Sequence, residues 1–346
     1  MAEALRTVEL GNSGIKASVI GYGTYHLGDK LDEFSALLSM GHAFDRGVTL
    51  FDTSDNYGTE GLIGIAVREG YLPRDEVVIA TKTGLGTSYA HQVALRRAKR
   101  KGDTSPNRIR QQVDKSLAVL GKDVGVIDLY QLHTYDDTVP PAEQAAVMQE
   151  LIDAGKIRSW GVSNYPIPAL TRLIDACDAE GVVHPVTTQP FLNVVSGAGE
   201  VGFNAATKGM TVLAHSPLLK GMLTGSAVDK MTAHVRAEAA DISDEERAGY
   251  DAFKKGLEAL TELRNYAQMR GLTLAQFAIS WAANRPNTVV LTACTNEQYL
   301  DDAITGAAHT LDTTDPKVLG IQRTFRELPF AAQSLALMRD MKYYYR

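Results

Sequence analysis

Val48-Thr49-Leu50-Phe51-Asp52-Thr53-Ser54-Asp55-Asn56-Tyr57-Gly58 reads as a buried strand over residues 48–52 that delivers Asp52 at its carboxyl end. The chain then turns at Tyr57-Gly58 into a helix over residues 60–68. A short apolar run bounded by turn residues is the pattern of a strand covered on both faces, as in a parallel sheet. A tyrosine five residues beyond an acid proves nothing alone, so the rest of the chain decides whether Tyr57 packs or reacts.

The same strand-then-helix unit repeats in both directions. Gly11-Asn12-Ser13-Gly14 is a turn between two β-prone runs, which predicts a small hairpin ahead of the main fold. Val19-Ile20-Gly21-Tyr22-Gly23-Thr24 is a strand, and residues 32–45 carry helical spacing with Gly47 as the stop. Further strands end near Lys82, Gln131, Ser163, Gln189, Ala214 and Leu291. Helices are expected over residues 105–120, 141–154, 166–180, 200–208 and 275–283, and from Glu297. Residues 226–249 form a charged insertion poor in strand formers, after which helical spacing resumes to Arg270. Counting Gly23 and Asp52, eight strands each precede a helix, and right-handed crossovers close such a series most simply into a (β/α)8 TIM barrel. A doubly wound open sheet is the alternative, weakened because Gly21-Tyr22-Gly23 has no third glycine in dinucleotide-turn register. No boundary or repeat divides the chain, so residues 1–346 are expected to form one barrel domain with a helical tail from Thr310. The tail either packs on the barrel or mediates homo-oligomer assembly, and packing is preferred.

Composition narrows the function. A net charge of −6 excludes a basic nucleic-acid-binding face as the dominant feature. Cys177 and Cys294 have neither disulfide-scaffold nor metal-ligand spacing, which favours a reducing cytoplasm. No apolar run reaches the roughly 20 residues of a membrane span, and the amino terminus lacks a signal-peptide layout. The basic cluster Arg96, Arg97, Lys99, Arg100 and Lys101 is read as a solvated surface, with an anion-attracting rim as the sharper alternative.

In a barrel the active site lies at the carboxyl ends of the strands. Asp52, Tyr57, Lys82, His133, Ser163, Asn164, Gln189, His215 and Ser216 all fall there. A tyrosine of ordinary pKa, about 10, is a poor acid at neutral pH. A neighbouring lysine cation favours the phenolate and is expected to lower that pKa, with Asp52 supplying the countercharge in a dry pocket. Such a set suits proton delivery to a carbonyl oxygen, with His133 orienting it. His133 has no second histidine at ligand spacing, so no metal is expected.

The pieces FDTSDNYG with Glu60 and Gly64, VVIATKTG, IDLYQLH, GKIRSWGVSN and SPLLKGMLTG together resemble the aldo-keto reductase family over nearly the whole chain. The resemblance implies a barrel that reduces small carbonyl compounds with NADP(H), with Tyr57 as proton donor, Lys82 and Asp52 tuning it, and His133 orienting the substrate. It also places Gly23, Thr24, Asp52, Ser163, Asn164 and Gln189 near the nicotinamide. Ser216, Pro217, Leu218, Lys220 and Leu223 would then lie along the pyrophosphate, and Thr292, Cys294, Gln298, Asp301 and Asp302 at the adenosine. His215 stands where the family usually stacks an aromatic ring on the nicotinamide; imidazole covers less area and can titrate. Segment 292–302 holds no lysine or arginine for a 2′-phosphate, so NAD(H) stays open beside NADP(H). Thr295 and Gln298 also read as a capping box for the last helix. Tyr25, His26, Tyr57, His133, Tyr165 and Phe191 are expected to face the substrate. Two alternatives remain: an isomerase or epimerase with tightly held cofactor, and a non-catalytic regulatory subunit on the same fold.

Overall fold

The computed structural model describes residues 5–86, 102–195, 209–238 and 244–328. Two short strands, β1 (Thr7–Glu9) and β2 (Lys16–Ser18), pair antiparallel across the Gly11–Gly14 turn. Eight parallel strands then close a barrel: β3 (Ile20–Gly23), β4 (Leu50–Asp52), β5 (Val78–Thr83), β6 (Ile127–Leu132), β7 (Ile157–Ser163), β8 (Thr187–Gln189), β9 (Thr211–Ala214) and β10 (Thr288–Thr292). Every strand pairs with its neighbour in chain order, and β10 returns to β3.

The outer ring comprises α1 (Leu27–Lys30), α2 (Glu33–Asp45), α3 (Glu60–Arg68), α4 (Pro106–Leu120), α5 (Pro141–Asp153), α6 (Ile167–Glu180), α7 (Gly225–Glu238), α8 (Asp244–Met269), α9 (Leu274–Ala283), α10 (Glu297–Ala308) and α11 (Pro316–Glu327). Local chemistry sets their starts. The Asp32 carboxylate accepts from the Ser35 amide at 2.9 Å to cap α2. Prolines occupy the first turns of α4, α5 and α6, where their missing N–H is not needed. A Cβ on Gly64 would sit 2.3 Å from the Leu120 carbonyl oxygen, so α3 can approach the end of α4 only with glycine there.

Two apolar layers hold the fold. The outer one packs helices on strands and includes Trp160, Trp281, Phe277 and Phe51. The inner one fills the barrel with Leu50, Val78, Ala80, Leu129, Leu213, Val289 and Leu291. Leu10, Ile15 and Ala17 of the hairpin join that inner layer and plug the end opposite the strand carboxyl termini. Burying a side chain of leucine size contributes roughly 1.5–3 kcal/mol, so the plug binds the hairpin firmly.

Two expectations change. The charged insertion is helical in α7 and α8, since its Ala, Glu, Lys and Arg content favours helix. The helix from Glu297, α10, is capped by Asn296, whose side chain accepts from the Tyr299 amide at 2.8 Å, rather than by Thr295 and Gln298. A capping box does occur, one helix earlier, between Thr273 and Gln276. The helix expected at 200–208 and the basic cluster at 96–101 lie outside the described residues. The tail is described through α11, which packs inward on Val318 and Ile321 while Gln322 Nε2 donates to the Val194 carbonyl at 2.8 Å.

Candidate active site

Strand register brings the polar residues to one end of the barrel. Gly23 lies opposite Asp52, Lys82 opposite Gln131, and Ser163 opposite Gln189. Lys82, fully buried, places Nζ 2.6 Å from Asp52 Oδ2 and donates to the Thr53 carbonyl at 2.7 Å. The other carboxylate oxygen of Asp52 accepts from Gln189 Nε2 at 3.0 Å and Gln131 Nε2 at 3.3 Å. An anion so satisfied tolerates burial. Burial alone would depress the Lys82 ammonium, but Asp52 and then Tyr57 overcome it and raise its pKa above the ordinary value.

Tyr57 stands over this pair, with its ring centroid 5.0 Å from Lys82 Nζ. Its hydroxyl lies 3.5 Å from His133 Nε2. Burial raises the phenol pKa, and the opposing pull of Lys82 does not reverse it. The expected net lowering of Tyr57 is thus not what this structure gives: desolvation outweighs the cation. His133 is pushed well below the usual imidazole range by burial and by Lys82, so it is neutral at neutral pH. Its Nδ1 is 2.9 Å from Ser54 Oγ.

Around this centre, Ser163 Oγ donates to the Gln189 carbonyl at 2.9 Å, and Asn164 Nδ2 to the His133 carbonyl at 3.0 Å. Asn164 adopts φ 56°, a left-handed conformation that asparagine tolerates better than most residues. Its Oδ1 is 3.3 Å from His215 Nε2, while His215 Nδ1 is 3.2 Å from Ser216 Oγ. Burial, Lys82 and Lys220 push the His215 pKa down to about 4. Phe191 meets His215 edge-on at 5.6 Å, and Tyr25 meets Tyr57 edge-on at 4.9 Å with His26 beside it. Thr24 is buried and bonds Thr59, with its amide donating to the Asp52 carbonyl.

The loop after β9 is tightly wound and carries a lysine. Leu218 at φ −96°, ψ 15° precedes Leu219 and Lys220 at φ 49° and 54°. The amides of Leu219, Gly221 and Met222 close this loop on its own carbonyls, and Lys220 adds a cation to it. That loop, with the hydroxyl and amide groups of Ser163, Asn164 and Gln189, fits a phosphorylated nicotinamide cofactor. Leu223 is fully buried and supports the loop from beneath through its amide, which donates to the Leu218 carbonyl.

Elsewhere the assignments shift. Tyr165 does not line the opening: it is buried in the outer core, edge-on to Tyr135, and its hydroxyl donates to Gln144 Oε1 at 3.1 Å. The residue just after a strand can point to either layer, and here it points outward from the barrel. The Cys294 side chain is likewise buried, its thiol pushed up to about 12 and facing the Thr292 carbonyl at 4.0 Å, while its own carbonyl accepts from Ser39. Thr292 ends β10, Gln298 lies in the first turn of α10, and Asp302 accepts from Gln276 and Gln298. Asp301 pairs with Arg46 at 2.7 Å, which brings a guanidinium beside segment 292–302 from a distant part of the chain. Ser54 and Gln131 belong to the polar centre without having been singled out in sequence. Both were legible in retrospect, one inside the quoted turn and the other in register with Lys82. Among the described residues, no group of three histidine, cysteine or acidic side chains could hold a metal.

The Aldo/keto reductase family model matches residues 19–319. Aldo-keto reductase YhdN of Bacillus subtilis (strain 168) is 35% identical over 288 residues, covering 80% of this chain and 81% of that protein. The 6-dehydroglucose reductase of Novosphingobium aromaticivorans is 31% identical over 242 residues, 65% of this chain and 73% of its own. A probable voltage-gated potassium channel subunit beta of Arabidopsis thaliana is 29% identical over 301 residues, 85% of this chain and 88% of that one.

Proposed function

Because this chain belongs to the aldo/keto reductase family of oxidoreductases, we propose that it reduces an aldehyde or ketone with a nicotinamide cofactor, Tyr57 being the proton donor. The observation that carries this reading is the placement of the Tyr57 hydroxyl between a buried, paired Lys82 cation and His133. A bound reduced nicotinamide supplies the hydride. As the carbonyl oxygen gains negative charge, Tyr57 gives it a proton; the raised pKa keeps that proton on the phenol beforehand. Lys82 stabilises the phenolate left behind, and Asp52 keeps Lys82 charged in the dry site. His133, neutral, orients the carbonyl from the other side.

Ser163, Asn164 and Gln189 offer donors and acceptors matched to a carboxamide, and Lys220 with its loop offers a seat for a pyrophosphate. We take NADPH as the cofactor; Arg46 stands near the adenosine end paired with Asp301, a pair that a 2′-phosphate would have to open. Tyr25, His26 and Phe191 give the opening an aromatic, partly polar lining suited to small carbonyl compounds. Affinities for NADPH and NADH, then cofactor absorbance with a panel of aldehydes, sugars and cyclic ketones, test the reading. Turnover that Tyr57→Phe lowers by about 10² to 10⁴ is expected; full activity in Tyr57→Phe would sink it.

A further inference from the structure

The turn carrying Tyr57 has a second face. Tyr57 looks into the barrel mouth, whereas the side chain of Asp55 is fully buried behind it, in the layer between strands and helices. There Arg108, from the first turn of α4, approaches Asp55 Oδ2 at 3.6 Å. The backbone ties the same turn to the catalytic lysine: the Asp55 amide donates to the Lys82 carbonyl at 3.2 Å, and the Tyr57 amide to the Ser54 carbonyl at 3.1 Å. Ser54 Oγ bridges onward to Asp55 Oδ1 at 3.2 Å and His133 Nδ1 at 2.9 Å. Charged and titratable neighbours come from each element around Asp55: Glu60 from α3, Arg108 from α4 and the Tyr130 hydroxyl from β6. None of these belongs to the proton-transfer set.

We propose that Asp55 is a positioning residue for Tyr57, acting through its buried ion pair with Arg108. Asp55 sits two residues before the proton donor, and α4 begins the segment that follows the β5 loop. The pair therefore pins the loop bearing Tyr57 to the helix after the strand bearing Lys82. A shift of a fraction of an ångström in the phenol is enough to cost rate, because proton transfer demands hydrogen-bond distance. The position is also held against the preference of the carboxyl. Burial pushes Asp55 up to about 6, against the pull of Arg108, so an ionised acid here weakens the fold. A residue placed only for stability would be neutral.

This inference rests on Tyr57 being the proton donor, and the experiment separates the two. Full-length wild type, Asp55→Asn, Arg108→Gln, the double variant and Tyr57→Phe are assayed with NADPH and NADH against an aromatic aldehyde, with thermal unfolding alongside. Asp55→Asn is expected to lose tenfold or more in kcat, with KM within about twofold of wild type and Tm equal or higher. Arg108→Gln should behave similarly in kcat, and the double variant should be no worse than either single one. The fall in wild-type kcat below about pH 6 should be absent from Asp55→Asn. Wild-type kcat in Asp55→Asn, or losses that multiply in the double variant, would overturn the proposal while an inactive Tyr57→Phe left the proton donor standing. Were Asp55→Asn not to fold, Arg108→Gln reads the same pair, and wild-type kcat there overturns it. No turnover by wild type, or full activity in Tyr57→Phe, overturns both.

Discussion

Lys82 and Asp52 meet at 2.6 Å in a site where Lys82 has no exposed surface, and each is further engaged by a carbonyl or an amide. The pair is therefore a single unit of charge, and removing one half leaves the other stranded. Lys82→Met should cost about 3–5 kcal/mol of stability and nearly all reductase activity. The double variant Asp52→Asn with Lys82→Met should recover most of the stability and none of the activity. Chemical denaturation beside a cofactor-absorbance assay checks both halves; recovered activity in the double variant would contradict the role given to Lys82.

Ser54 has one hydroxyl proton and three polar neighbours, Asn56 Oδ1 at 2.7 Å, His133 Nδ1 at 2.9 Å and Asp55 Oδ1 at 3.2 Å. Orienting a carbonyl by His133 needs a proton on Nε2, so Nδ1 must accept from Ser54. Nitrogen-15 NMR of the imidazole is expected to show a neutral ring protonated on Nε2 from pH 6 to 8. A ring protonated on Nδ1 would remove His133 from carbonyl binding. Ser54→Ala should raise substrate KM more than it lowers kcat.

His215 is held neutral, at about 4, by burial and two nearby lysines. Cofactor affinity should therefore be flat between pH 5.5 and 8, although the residue proposed to stack on the nicotinamide is a histidine. His215→Tyr should tighten binding by a few-fold to about tenfold, since an aromatic stack is worth roughly 0.5–1.5 kcal/mol. Fluorescence titration across that pH range decides it; an inflection near pH 6.5 would show that the ring titrates freely.

Asp55 gives a stability prediction of its own. Its folded pKa, about 6, lies above the ordinary 3.8, so the folded chain binds more protons than the unfolded chain in that window. Its contribution to stability therefore grows as pH falls from about 6 to about 4, by up to about 3 kcal/mol. Below that range the contribution is fully present, and above pH 6 it is lost. Unfolding curves of wild type and Asp55→Asn should converge toward pH 4 and separate at pH 7, with the variant the more stable there. The opposite order at pH 7 would mean that Arg108 outweighs burial.

Strand positions were legible because the barrel strands are almost wholly buried and several show as unbroken apolar runs, such as residues 77–80 or 289–291. The polar residues at the strand ends followed from that count, and so did their convergence. Tyr165 was misplaced because a residue beyond a strand end has no periodicity to fix its direction, and Gln144 claimed it for the outer layer. The Asp55–Arg108 and Arg46–Asp301 pairs were invisible for another reason: each joins segments far apart in the chain, and charge alone does not name its partner. The downward shift expected for Tyr57 failed because sequence shows the nearby cation but not the amount of water removed.

The hairpin plug has a kinetic consequence. With side chains filling the barrel and Leu10, Ile15 and Ala17 sealing the far end, the site is a cup open only at the strand carboxyl termini. Everything that enters must leave over the same rim, beneath Tyr25 and Phe191. Molecules sharing a single doorway depart in the reverse of the order in which they were seated, so whichever partner lies deeper must be the last to leave.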